Sequence, residues 1–578
     1  MTSGSADEIL ALDVQILIDS LNQDENSKGG GEEEGPAGGA AAAGGEWMDS
    51  GNESLPKEGS VIEVHVVELS STGDGLALQE GSKRIYAVGF VVPGDTVKVK
   101  VFRHFQEEKY TIADFISVVN PSPLRDDERI RCKHFATCSG CQFQMLDYND
   151  QLRLKKRIVE RAFRNFSQLP PELVPAVQDT IGSPLQYGYR TKLTPHFDGP
   201  PNWRQGVPFK ACPPIGFMRK GTRTTVDIED CPIGTDVVRL GMRRERARMA
   251  AEYSNYIRGA TLLLRETTKR IPKPGFENII KAGIEDEPPL SPRSKRESAV
   301  AVARESPPDD TDLVIVDTNE YTDLKTCITD NNAISTEYVG PYVFHNPAGF
   351  FFQNNNSILP TFTDYVRQHI FPPPPSTPTT TSTKDPLSSP SSSPASPDSP
   401  IEFLIDAYSG SGLFTITLSS VLRGGSVGVD IAPASIAFGV RNARANGLAP
   451  GRARFVAADA HTLFTPELRA ACPPDRSVVV VDPPRKGCDD AFLGQLLAFG
   501  PRRVVYVSCN VHTQARDVGV LVRGEQPRDA DDDAAAAATG RPPVRYAIES
   551  LRGFDFFPQT GHVEGVAVLN RVDADEVP

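Results

Sequence analysis

Glu402-Phe403-Leu404-Ile405-Asp406-Ala407-Tyr408-Ser409-Gly410-Ser411-Gly412 is the stretch that decides the fold. Its apolar first half reads as a buried strand, and 409–412 reads as a tight turn. A helix over 413–422 follows. The same alternation recurs downstream. Val427-Gly428-Val429-Asp430 is a strand ending in an acid, and the helix over 432–447 stops at Gly447. Phe455 to Asp459 is a third strand. Val478 to Val481 is a fourth, running into Asp482-Pro483-Pro484-Arg485. Val504-Val505-Tyr506-Val507 is a fifth, running into Ser508-Cys509-Asn510. Strands alternating with helices predict an α/β, Rossmann-like, doubly wound parallel sheet.

In such a sheet the carboxyl ends of the strands face the ligand crevice. Gly410 and Gly412 let a backbone approach a ligand, but a dinucleotide site wants a third glycine. The pattern here is Asp-x(3)-Gly-x-Gly, and Asp430, at the end of the next strand, can take both hydroxyls of a ribose. An adenosine-bearing cofactor without a pyrophosphate fits, and S-adenosylmethionine is one. Asp482 forms a rigid acidic turn able to read the polar edge of a nucleobase. Cys509 lies one strand further on, presented at a strand end, although a free cysteine is most often a small buried hydrophobe. Gly561-His562-Val563-Glu564-Gly565-Val566 puts a carboxylate at the start of the last strand. Desolvation there would make Glu564 a proton acceptor.

The rest of the chain divides by composition. At 578 residues with 39% hydrophobic content, more than one domain is expected. Residues 1–57 read as a disordered acidic tail with one possible amphipathic helix (Ile9, Leu10, Leu12, Ile16, Leu17, Leu21). Residues 58–120 read as short strands with Gly and Pro turns, a small OB-like β-barrel. Residues 121–355 form a central α+β domain, and 356–578 the α/β domain. Three tracts, 285–311, 372–400 and 525–542, read as disordered inserts.

The net charge of -14 argues against a nucleic-acid partner until it is located. Residues 1–56 hold twelve acids against one base, and Asp529, Asp531, Asp532 and Asp533 lie in an insert. The remaining chain is near neutral, so local basic patches can act. One such patch is the basic helix 151–166, with Leu152, Ile158, Ala162 and Phe166 spaced for packing. Another is Tyr187-Gly188-Tyr189-Arg190-Thr191-Lys192, where aromatics alternate with bases, as a base-stacking segment would.

Nine cysteines, an odd number in a large chain, suit a reducing compartment. Cys132, Cys138 and Cys141 are spaced Cys-x(5)-Cys-x(2)-Cys, and Cys231 is the best fourth ligand. Four thiolates suit zinc or an iron–sulfur cluster, and spacing does not choose between them. The acidic N-terminus resembles neither a secretory signal nor a transit peptide. An apolar run of membrane-spanning length is absent from the sequence. The expected location is intracellular, in cytoplasm or nucleus, with the mitochondrion left open.

Taken together these motifs resemble the RNA uracil-5-methyltransferase family, and within it the fungal-type tRNA enzymes that make ribothymidine in the T-loop. The resemblance runs from about residue 58 to 572 outside the inserts. Its most specific part is Asp482-Pro483-Pro484-Arg485, Ser508-Cys509-Asn510 and His562-Val563-Glu564, in that order. The barrel, with Gly73-Asp74-Gly75 and Val91-Val92-Pro93-Gly94-Asp95-Thr96-Val97, resembles a TRAM domain. The resemblance implies Cys509 as nucleophile and Glu564 as base. It implies S-adenosylmethionine contacts from Gln353, Tyr408, Asp430 and Asp482, with a backbone contact at Leu413. It also implies a 4Fe-4S cluster on Cys132, Cys138, Cys141 and Cys231, a feature of part of the family. The implied partner is the tRNA T-arm, read by a monomer. One departure is Asp430, where many members carry Glu. An rRNA uracil-5-methyltransferase would use the same chemistry. A non-catalytic RNA-binding or tRNA-folding protein would not need Cys509 and Glu564 intact. A cytosine-5 enzyme would also need to protonate ring nitrogen 3.

Overall fold

The structure, a computed structural model, describes residues 4–28, 55–200, 203–276, 313–372, 401–459, 463–524 and 544–572. The tracts 285–311 and 525–542, and all but the first residue of 372–400, lie outside these.

An eight-stranded sheet organises the C-terminal half. Its order is Ala453–Ala457, Gly425–Asp430, Phe403–Ala407, Ser477–Val481, Arg503–Ser508, Glu564–Val572, Arg545–Phe554, Gln178–Ile181. The first five strands are parallel, with Ile405 level with both Val427 and Val479, and Val480 level with Val505. The Val-rich strands Ser477–Val481 and Arg503–Ser508 at the centre are buried on both faces, as a sheet covered by helices requires, while the edge strand Ala453–Ala457 is not. Glu564–Val572 then enters antiparallel to Arg503–Ser508. The expectation of a parallel sheet is therefore corrected to a mixed one. The expected helix over 413–422 is a short α-helix, Leu413–Thr417, followed by a 3-10 turn, Ser419–Val421.

Residues 61–120 close into a five-stranded barrel around Val64, Val66, Val88, Val97 and Val99. Between barrel and large sheet lie two four-stranded sheets and the hairpin Ile334–Val339 with Tyr342–Pro347.

Two expected boundaries move. Gln178–Ile181, assigned above to the central domain, is the outer strand of the large sheet. The helix Tyr148–Phe166 packs on that sheet through Ile158, Val159, Ala162, Phe163 and Phe166. Leu152 is only half-buried. The first half of the expected tail is also structured. The helix Ala6–Lys28 buries Leu10, Val14, Leu17 and Ile18 against Leu76, Ile85, Ala87 and Tyr110 of the barrel. Its Ile9 joins the core of the large sheet. Full burial of each such side chain stabilises by about 1.5–3 kcal/mol, which holds a helix that would be marginal alone. Asp13 is buried with it, accepting a hydrogen bond from the Ser71 N–H at 2.5 Å and pairing with Arg161 at 3.4 Å.

Candidate active site

Cys509 is fixed between a strand end and a helix start. Ser508 is the last residue of its strand, and its Oγ accepts from the Asn510 N–H at 3.0 Å. Asn510 caps the helix Val511–Arg523, accepting from the His512 N–H at 3.2 Å. Its Nδ2 donates to the Arg485 carbonyl at 3.0 Å, tying the Cys509 turn to the Asp-Pro-Pro-Arg turn.

The neighbouring strand brings the carboxylate. Ser508 lies level with Gly565 in an antiparallel pair, so one further step places Cys509 beside Glu564. Burial, and next the Glu564 carboxylate, push the thiol up to about 11, while Arg485 pulls it down. Glu564 is fully enclosed, and burial followed by Asp482 holds its carboxyl well above the usual range. Asp482 is raised by burial and by Asp406. Asp406 is pushed up to about 7 by burial, although its Oδ2 accepts from the Thr415 N–H at 2.9 Å and hydroxyl at 2.6 Å. Among the described residues, Glu564 Oε2 and Asp406 Oδ1 are buried without a hydrogen-bond partner. Three acids thus share one enclosed region with Arg485 beside them. Such a site favours a ligand carrying positive charge and hydrogen-bond donors, as a sulfonium amino acid does.

The turn after the first strand is shaped for close approach. Tyr408, Gly410 and Gly412 all have positive φ, at 66°, 54° and 95°. A Cβ on Gly412 would lie 2.7 Å from the Phe455 ring, so no larger residue fits there. The Asp430 carboxylate braces the turn by accepting from the Gly410 N–H at 3.0 Å and the Ala432 N–H at 2.8 Å. Each oxygen keeps a second lone pair for a ribose hydroxyl. Tyr408 packs its ring on Phe492, 5.5 Å between centroids, with its hydroxyl towards Cys488. Gln353 is half-buried. The Asn355 amide two residues on donates to the Phe556 carbonyl at 3.2 Å, on the segment that leads to Glu564.

A cavity of about 420 Å³ opens onto Cys509, lined among others by Arg485, His562, Gly4 and Ser71. His562 is pushed down to about 4 by burial and nearby cations, so its ring is neutral at pH 7.

Cys132, Cys138, Cys141 and Cys231 are all half-buried and unbridged. Burial and the neighbouring thiols push Cys141 up to about 12 and Cys231 higher. Among the described residues no three His, Cys, Asp or Glu side chains are arranged to hold a metal ion.

One expected RNA contact is corrected. Tyr189 is buried, its hydroxyl donating to the Pro558 carbonyl at 3.2 Å, so it offers no face to a base. Tyr187 is half-buried beneath the Arg131 guanidinium. Sequence reasoning also passed over Arg485 as a partner of Cys509, Asp406 as part of the acidic group, and the N-terminal segment as a cavity wall. Arg485 stood inside a quoted motif. The capping-box spacing Ser5-Ala6-Asp7-Glu8 was the available signal for the N-terminal helix.

Comparison with known proteins bears on these observations. No family model matches the chain. Among solved structures, the Pyrococcus abyssi tRNA (uracil-54, C5)-methyltransferase, in complex with S-adenosyl-L-homocysteine, superposes with a TM-score of 0.54 at 21% identity. The match covers 88% of this chain and 100% of that one, and shows a shared fold. The tRNA (uracil(54)-C(5))-methyltransferase of Schizosaccharomyces pombe is 38% identical over 512 residues, 88% of this chain and 78% of the relative. That of Saccharomyces cerevisiae is 37% identical over 534 residues, 89% and 74%. Each of these likenesses covers 88% or more of this chain. By sequence along most of its length, the chain belongs to the tRNA (uracil(54)-C(5))-methyltransferase family.

Proposed function

We propose that this enzyme methylates carbon 5 of the T-loop uridine at position 54 of tRNA, with S-adenosylmethionine as methyl donor. The observation that carries the reading is the Cys509 thiol beside the enclosed Glu564 carboxylate, at the mouth of a cavity large enough for one nucleoside.

Carbon 5 of uracil is a poor nucleophile. Cys509 loses its proton to solvent, Arg485 favours the thiolate, and the sulfur adds to carbon 6. The ring electrons move to carbon 5 and the adjoining carbonyl, and carbon 5 becomes the nucleophile. S-adenosylmethionine, when bound, supplies an electrophilic methyl group. Glu564 then removes the carbon-5 proton, the double bond re-forms, and the Cys509 thiolate leaves. Glu564 is suited to that late step because burial raises its basicity. The residues assigned to hold the donor are Asp430 at the ribose, Asp482 beside the charged sulfur, and Gln353, Tyr408 and the Leu413 backbone around the methionine moiety. The acids Asp406 and Asp482 complement positive charge. The target base must leave its stack to reach the thiol, so the uridine enters flipped.

The barrel and central region serve as the tRNA-gripping part, binding as a monomer to the T-arm. Within it, Cys132, Cys138, Cys141 and Cys231 hold a 4Fe-4S cluster. A cluster spreads its ligands wider than one ion does, which suits four thiols that influence each other without closing on a point. Anaerobic purification with iron and sulfide analysis tests this. About four of each per chain is expected, with loss in Cys231→Ser, and their absence from the wild type overturns it.

For the main reading, unmodified tRNA transcript and a matched rRNA fragment are incubated with methyl-labelled S-adenosylmethionine. Label is expected in 5-methyluridine at the T-loop only. Label confined to rRNA would reassign the substrate, and label in neither would remove the activity.

A further inference from the structure

The N-terminal segment reaches the active site. Gly4 and Ile9 line the cavity that opens onto Cys509, together with His562. The Gly4 carbonyl accepts from Asn510 Nδ2 at 3.3 Å, the same amide that holds the Arg485 turn. Gly4 is left-handed, with φ of 60°, and a Cβ there would lie 2.6 Å from Thr513 Cγ2. Its N–H donates to Glu8 Oε2 at 2.8 Å, and Ser5 Oγ accepts from the Glu8 N–H at 3.3 Å. Position 4 is thus locked onto the first turn of the helix Ala6–Lys28.

That helix is anchored on three sides. Leu10, Val14, Leu17 and Ile18 pack on the barrel, Ile9 on the large-sheet core, and Asp13 on Ser71 and Arg161. Ser71 and Thr72, in the barrel turn, are themselves cavity walls. The outward face carries Asp7, Gln15 and Asp19, a poor surface for phosphate.

We propose that the N-terminal segment is a positioning element of the methyl-transfer site: it closes the uridine pocket and holds Asn510, and through it the Cys509 turn, in attacking geometry. This rests on Cys509 being the nucleophile. The segment acts on the captured base and the thiol, because its acidic face gives RNA no backbone contact. A displacement of about 1 Å at a reacting pair can lower a rate up to about 100-fold.

The test uses the full chain with two variants. Gly4→Val removes the left-handed residue and clashes with Thr513. Val14→Asp undocks the helix from the barrel, far from the thiol. Each is incubated with 5-fluorouridine-substituted tRNA and S-adenosylmethionine under single-turnover conditions, and the covalent adduct is followed on denaturing gels. Adduct formation at saturating tRNA is expected to slow by about tenfold in both variants. The tRNA concentration for half-saturation and the affinity for S-adenosylmethionine should stay within about twofold of wild type. A purely structural role would move all three together with the melting temperature, and that result overturns the proposal. So does a wild-type adduct rate in both variants, or a faster one, which would make the segment a plug. If the wild type itself forms no adduct, the nucleophile assignment fails first and this inference with it.

Discussion

The molecule holds two groups of half-buried cysteines, and they differ in the charges around them. Cys509 is a single thiol, raised by burial and by a carboxylate, with the Arg485 guanidinium opposing both. Cys138, Cys141 and Cys231 are raised by burial and by neighbouring thiols, and Cys132 by burial and by Asp230. The first arrangement supplies its own cation and needs none to remain, since the thiolate must leave at the end of the cycle. The second offers four donors, three of which feel a neighbouring thiol once ionised, so the cluster proposed above would relieve them. Residue type and burial are alike; the neighbours separate the proposed nucleophile from the proposed ligand set.

The sharpest break of that contrast is Cys509→Ala. Methylation and the 5-fluorouridine adduct should both vanish, with S-adenosylmethionine affinity nearly unchanged. Cys231→Ser should leave the adduct detectable. An adduct that survives in Cys509→Ala would move the nucleophile elsewhere. Glu564→Gln comes next. Addition and methyl transfer need no base at carbon 5, so this variant should accumulate protein–tRNA adduct carrying the labelled methyl group. Turnover should fall about 100- to 10,000-fold. Wild-type turnover would assign the proton to another residue, and no adduct at all would make Glu564 a residue that positions uracil before attack.

The strand-end positions of these two residues were legible because their motifs are local. A strand of β-branched residues that ends in Ser-Cys-Asn, and another that begins at Glu564, each announce a strand end. Their adjacency was not legible, since it depends on the last strand entering antiparallel beside Arg503–Ser508. Arg485 was visible as a letter, but the direction of a guanidinium is set by tertiary packing. The N-terminal helix was hidden differently. Its apolar spacing was seen, yet the Gly, Ala and Glu that follow made the whole segment read as tail, and the barrel face it covers lies about 60 or more residues away in sequence. Tyr189 failed for the converse reason. Its alternation with bases suited a stacking platform, but the chain passes beneath Pro558 and buries the ring.

The pH dependence of Cys509 sharpens the comparison further. A thiol raised to about 11 is mostly protonated at neutrality. Alkylation of the free enzyme at Cys509, followed by peptide mass spectrometry, should therefore quicken about tenfold per pH unit and level off only near pH 11. A plateau below pH 9 would mean that Arg485 dominates over burial and Glu564.

The smallest expected effect concerns the acids near that thiol, of which Asp406 has no cation opposing its rise. Asp406 rises from 3.8 to about 7 on folding. A group raised in this way contributes stability in full below its unfolded value and loses it as pH climbs through the folded one. The free enzyme should therefore lose stability from this source between about pH 4 and 7. A ligand with a positive sulfur offsets the loss, because it favours the ionised carboxylates. Its stabilisation should then grow from pH 5 to pH 8 by roughly 2–4 °C in melting temperature. S-adenosylhomocysteine has the same ribose, adenine and amino acid groups but a neutral sulfur, so its shift should vary less. Equal pH dependence for the two ligands would mean that the sulfonium does not sit against Asp406 and Asp482. The charge complementarity that assigns those acids to the methyl donor would then fail, while the Cys509 and Glu564 assignments would stand on their own tests.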